Sequence, residues 1–101
     1  MVHYVIVRRD LSVGLLAAMC VHAAGESSPG NLPENTHAVV LAAEGESALA
    51  AVRDKLTRAG IAHVAIREPD SPWNGSLMAI GVAPGRKEVL RKFLSSLPLL
   101  T

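Results

Sequence analysis

Hydrophobic positions fall along this chain in two patterns, short unbroken runs and stripes that recur at helical spacing. The run His3 to Arg8 (HYVIVR) is β-branched and closed by charge, which predicts a strand buried on both faces and central in its sheet. Asp10 to Ser12 offers capping oxygens ahead of the Ala-, Leu- and Met-rich stretch Gly14 to Ala24. A first helix is expected there, with Gly25 ending it. Ala38 to Ala42 (AVVLA), Ile61 to Ile66 (IAHVAI) and Leu77 to Val82 (LMAIGV) repeat the buried-strand pattern. Between Ser47 and Ala59 the side chains Leu49, Val52, Leu56 and Ala59 recur at spacings of three and four, with Arg53, Asp54, Lys55 and Arg58 on the other side. That is an amphipathic helix, and Gly60 stands where its C-terminal cap belongs. After Pro84-Gly85, the residues Val89, Leu90, Phe93, Leu94 and Leu97 form the stripe of a last helix.

Two polar segments interrupt this order. Glu26 to Thr36 shifts to Ser, Pro, Gly and Asn, which predicts a mobile surface loop. Arg67 to Ser76 (REPDSPWNGS) packs two carboxylates, hydroxyls, an amide and the only tryptophan between two strands. It reads either as a connection stiffened by Pro69 and Pro72, with Trp73 covering the sheet edge, or as an active-site loop. Open α/β sheets bind ligands at the C-terminal ends of their strands, where this loop would lie. The order β-α-β-α-β-β-α predicts an α/β fold of three layers, a four-stranded mixed sheet flanked by helices, as one domain over residues 1–101.

Composition narrows the picture. Half the residues are hydrophobic but only one Trp, one Tyr and one Phe occur, so the core is aliphatic and global disorder is excluded. A net charge of +1 is far from the basic excess of a protein that binds nucleic acid over its whole surface, so any such contact must be local. No apolar run approaches the ~18 residues of a membrane span, and no membrane or DNA partner is expected. Tyr4 to Val7 precedes Arg8, Arg9 and Asp10, the reverse of a secretory signal. With Cys20 as the only cysteine, a reducing compartment and a cytoplasmic location are expected.

Metal chemistry finds little support. Cys20 and His22 are two positions apart on a helix and point about 200° from each other, so they cannot share an ion. Cys20 reads as a small buried hydrophobe and His63 as a hydrogen-bonded structural histidine. Phosphate-loop spacing, a GxSxG elbow and an HExxH pair are absent. Arg86, Lys87, Arg91 and Lys92 give the last helix a basic face, either merely solvated or a shallow patch for phosphates.

Three segments and the order of elements resemble the type II peptidyl-tRNA hydrolase family, the archaeal and eukaryotic kind. Tyr4 to Ala24 (YVIVRRDLSVGLLAAMCVHAA) is similar to that family's strand, R-x-D-L and A-A-Q-x-x-H-A helix. Ala38 to Gly60 is similar to its next strand and helix, and Ala79 to Pro84 (AIGVAP) to its G-x-G-P strand end. Tyr4 to Ser12 and Lys87 to Leu97 resemble most the smaller branch of peptidyl-tRNA hydrolase domain-containing proteins.

The resemblance implies a four-stranded mixed sheet between helices, cleavage of the ester joining a peptide to tRNA, no cofactor, tRNA or peptidyl-tRNA as partner, and leaves a homodimer open. Carried over by residue, Asp10 matches the D-L motif, His22 the H-A motif and Glu68 the acid after the third strand. The family's glycine-flanked lysine has no counterpart, its helix glutamine is Met19 and its fourth-strand threonine falls at Met78, with Ser76 as a partial substitute. The loop Glu26 to Thr36 replaces its second helix. On this reading Glu68 is the general base, with Asp10 beside it in the catalytic set. Asn74, Ser76 and the turn's amides serve the oxyanion, and Arg8, Arg9 or Arg67, with His22, contact the substrate. The competing expectation is a degenerate homologue that serves as a tRNA-end or protein-binding module.

Overall fold

Polar alternation is missing along the first strand because both of its faces are covered: every residue of β1 (Val2–Arg8) is buried. The computed structural model describes residues 1–101. After β1 come α1 (Val13–Ser27), β2 (His37–Ala43), α2 (Glu46–Arg58), β3 (His63–Glu68), β4 (Ser76–Val82) and α3 (Lys87–Leu94). The strands form one mixed sheet in the order β2-β1-β4-β3. β1 and β2 are parallel, which requires the crossover that α1 supplies, whereas β4 is antiparallel to both β1 and β3. The expected element order and the central place of the first strand are both found.

Two aliphatic cores lie on opposite faces of this sheet. On one, Tyr4, Ile6, Leu41, Ile80 and Val82 meet Leu49, Val52 and Leu56 of α2 and Leu90 and Leu94 of α3. On the other, Val5, Val7, Ile66 and Ala79 meet Met19 and Ala23 of α1. The result is three layers, α1 against one face and α2 with α3 against the other. Along β4 the pairing steps from Ala79 opposite Ile66 to Leu77 opposite Arg67, so Met78 is an extra, bulged residue. The bulge sends Leu77 to the α2 side while Met78 stays on the α1 side.

Several boundaries differ from the sequence expectation. α1 runs through Gly25 to Ser27, because its end is anchored elsewhere. The His3 Nε2–H donates to Ser27 Oγ (2.7 Å), whose hydroxyl donates to the Ala23 carbonyl (2.7 Å). β3 starts at His63 instead of Ile61, since the Ile61 N–H still closes α2 by donating to the Leu56 carbonyl (3.0 Å). Gly60 makes the intervening turn at φ 71°, a conformation that favours glycine. His63 is the structural histidine expected, its Nδ1–H donating to the Ile61 carbonyl at 2.7 Å. β2 is buried only in its C-terminal half, because the irregular, largely exposed segment 28–36 puts no helix over the rest. Val89, 43 % exposed, lies outside the buried stripe of α3. The outer edge of β2 is covered by the tail: the Ala42 N–H donates to the Pro98 carbonyl and the Leu100 N–H to the Val40 carbonyl. No helix is long and apolar enough to cross a membrane.

Candidate functional site

Strand directions bring three connections to one end of the sheet. β1, β2 and β3 end there and β4 begins there. The segment after β1 leads into the N-terminus of α1, the segment after β2 into the N-terminus of α2, and the Glu68 to Ser76 turn joins β3 to β4.

Arg8 organises this end. Its Nε and Nη2 donate to Asp10 Oδ1 and Oδ2 at 2.9 and 2.8 Å, and its Nη1 donates to the Leu77 carbonyl at 3.1 Å. The guanidinium also lies 5.2 Å from the centroid of the Trp73 ring. Hydrogen bonds from Arg8 hold the Asp10 carboxyl below its ordinary range, and the same bonds raise the Arg8 guanidinium. Trp73 thus covers the end of the sheet above Arg8, where the sequence had suggested its edge. Across the strand, the Leu77 N–H donates to Glu46 Oε2 at 2.7 Å, which fixes the start of α2 to the start of β4.

The turn itself is held by its own backbone. Asn74 (φ 49°) and Gly75 (φ 90°) take left-handed conformations that reverse the chain into β4. The Gly75 N–H donates to the Glu68 carbonyl at 2.7 Å, and the Trp73 and Asn74 N–H groups share the Asp70 carbonyl. Glu68 Oε1 accepts from the Asp70 N–H at 3.1 Å. Ser76 Oγ donates to the Trp73 carbonyl (2.6 Å), Asn74 Nδ2 to the Pro72 carbonyl (3.3 Å) and Arg67 Nη1 to the Gly75 carbonyl (3.1 Å).

Glu68, Asn74, Ser76 and Arg67 therefore share one turn, with Glu68 paired to Ser76 across the ladder and Arg8 and Asp10 beside it. Arg9 is at the same end but exposed, facing Glu44 at 3.5 Å. His22 is not in this group. It stands nine positions past Val13, about 14 Å along α1, and its Nε2 contacts the Glu26 carboxylate on the exposed face. Cys20 faces the α1-side core, and burial raises its thiol.

Sequence reasoning missed two partners here. The sequence marks Trp73 as a cover but not as the ring against the Arg8 guanidinium, and it gives no sign of Glu46 as the acceptor for Leu77. The only linear signals were an arginine closing a buried run and an acid at a helix start. A third feature adds to the site: the Val13, Gly14 and Leu15 N–H groups have no acceptor, and the first turn of α1 has no acid. The positive end of that helix is open toward anions.

A half-buried carboxylate, clustered donors and an open helix N-terminus at a sheet end suit activation of a water beside an anionic substrate. Fold and site together define a small three-layer α/β protein with an acid-bearing turn at the open end of its sheet. The family model described as Peptidyl-tRNA hydrolase PTH2 matches residues 1–100, and the chain belongs to that family. It is thus a peptidyl-tRNA hydrolase-like protein with a place in translation. Comparison with curated proteins gives no match.

Proposed function

We propose that this protein hydrolyses the ester between a peptide and tRNA, with Glu68 as the base that activates water. The observation that carries this reading is the state of the carboxylates at the site end of the sheet. Asp10 has both oxygens engaged by Arg8, Glu46 receives the Leu77 N–H, and Glu44 faces Arg9. Glu68 keeps Oε2 without a partner in a half-buried position, whereas Asp70 is exposed.

In the reaction Glu68 takes a proton from water as the oxygen attacks the ester carbonyl carbon. Asn74 Nδ2 and Ser76 Oγ stabilise the oxyanion after leaving the turn carbonyls they now serve. The tetrahedral intermediate collapses, the proton held by Glu68 passes to the departing tRNA oxygen, and the peptide leaves with a free carboxylate. Arg67, Arg9 and the N-terminus of α1 face the terminal phosphates, while Arg8 holds the turn in place. Release of free tRNA from peptidyl-tRNA, with and without the protein, tests this directly.

A second reading is favoured by one observation. The donors of Asn74, Ser76 and Arg67 are all spent on the turn's own carbonyls, as suits a module that binds a tRNA end without cleaving it. Binding of deacylated tRNA without turnover of peptidyl-tRNA distinguishes the two.

A further inference from the structure

Charge in this protein is segregated by layer. α2 and α3, with the cap residue Arg86, carry seven of the ten Lys and Arg residues but three of the nine Asp and Glu residues, a net +4. The rest of the chain holds three cations and six carboxylates, a net −3, and the two parts make up the overall +1. All ten charged side chains of α2 and α3, Arg86 included, are exposed. Glu46 is turned into the sheet end by the Leu77 N–H, and Glu88 is held by Arg86 at 2.9 Å. Apart from the Arg86–Glu88 pair, that leaves Arg53, Lys55, Arg58, Lys87, Arg91 and Lys92, all free of ion pairs, against Glu46 and Asp54.

From this we infer that the α2–α3 layer is a docking surface for the phosphate backbone of an RNA duplex. The choice of RNA over DNA rests on the proposed tRNA substrate; the polyanion itself follows from the charge. A lipid surface fits less well, because an interfacial helix needs a free apolar face and the stripes of α2 and α3 are buried in the core. α2 places Arg53, Lys55 and Arg58 within its last six residues, about 8 Å of helix. It begins at the sheet end that holds Glu68, and α3 returns toward that end, its tail bonded to Ala42 through Pro98. The cations of α2 begin at Arg53, seven positions past Glu46 and about 10 Å along the helix from that end. A chain of low net charge gains a local binding face in this way, without a basic surface elsewhere.

The test uses the full chain and fluorescently labelled deacylated tRNA, followed by anisotropy at increasing salt. About four phosphate contacts predict a fall in affinity of roughly a hundredfold between about 50 and 200 mM salt. The paired reversals Arg53→Glu with Arg58→Glu, and Arg91→Glu with Lys92→Glu, should each weaken binding about tenfold or more and flatten the salt slope. Their melting temperatures should match the wild type, and the lysine replacements Arg53→Lys with Arg58→Lys should restore binding. Absence of tRNA binding by the wild type, or unchanged binding in both reversed variants, overturns the inference. So does tighter binding to phosphatidylserine vesicles than to tRNA. Because deacylated tRNA is the probe, failure of the hydrolase reading would leave this result untouched.

Discussion

Arg8 lies 5.2 Å from the ring centroid of Trp73, joining the last residue of β1 to a turn more than sixty positions away. The same guanidinium grips Asp10 and the Leu77 carbonyl, so one buried cation ties β1, β4 and the Glu68 to Ser76 turn together.

Removing that tie should loosen the turn. Arg8→Met strips the Leu77 carbonyl of its donor and Trp73 of its cation, with an expected loss of about 2 kcal/mol in urea unfolding. Asp10 contributes little of this, as its side chain is 44 % exposed and screened. A double-mutant cycle with Trp73→Ala should return a coupling of about 1 kcal/mol. Strictly additive effects would show that the stack holds nothing.

Two glycines should answer oppositely to alanine. A Cβ on Gly81 would sit 2.3 Å from the Ala23 carbonyl oxygen and 2.5 Å from Ser27 Oγ, so α1 would have to move off β4. Gly81→Ala should cost about 3 kcal/mol or more. Gly25, in the last turn of α1, has nothing within 4 Å of its added Cβ, and Gly25→Ala should stabilise by about 0.5 kcal/mol. Chemical denaturation of both variants checks the pair, and equal effects would contradict the packing described.

Stability should fall in mildly acidic solution through His3. Burial holds its imidazole below the ordinary 6.5 while Nε2–H serves Ser27. The unfolded chain then takes up a proton at a higher pH than the folded one. The contribution is complete above 6.5, declines as pH drops below that value and levels off once the folded imidazole is also protonated. Urea unfolding from about pH 7.5 to 5.5 should show this decline in the wild type and lose most of it in His3→Gln. An equal decline in both proteins would place the effect elsewhere.

Features set by neighbours in sequence were legible in it, and those set by distant partners were not. The apolar run of β1 and the stripe Leu49, Val52, Leu56 of α2 can be read locally, because burial imposes their periods. The end of α1 could not, since Gly25 is outweighed by an anchor from Ser27 to His3, 24 positions away. Ile61 looks like strand but belongs to the closing turn of α2. In the site, the clustering of Glu68, Asn74 and Ser76 was visible because one turn contains them all. The contacts of Arg8 with Leu77 and of Glu46 with Leu77 span 69 and 31 positions, and only the folded sheet brings them together. The basic face of α3 was likewise visible, but its union with that of α2 depends on both helices covering the same side of the sheet.

Hydrolysis by Glu68 is tested most directly by the rate of tRNA release from peptidyl-tRNA by the wild type, by Glu68→Gln and by Asp70→Asn. The wild type should release tRNA well above the uncatalysed rate, and Glu68→Gln should lower that rate by about a hundredfold or more. Asp70→Asn, at an exposed position, should stay close to the wild type, and both variants should keep their stability within about 0.5 kcal/mol. Release by Glu68→Gln as fast as by the wild type, or no release by the wild type at all, would contradict the account.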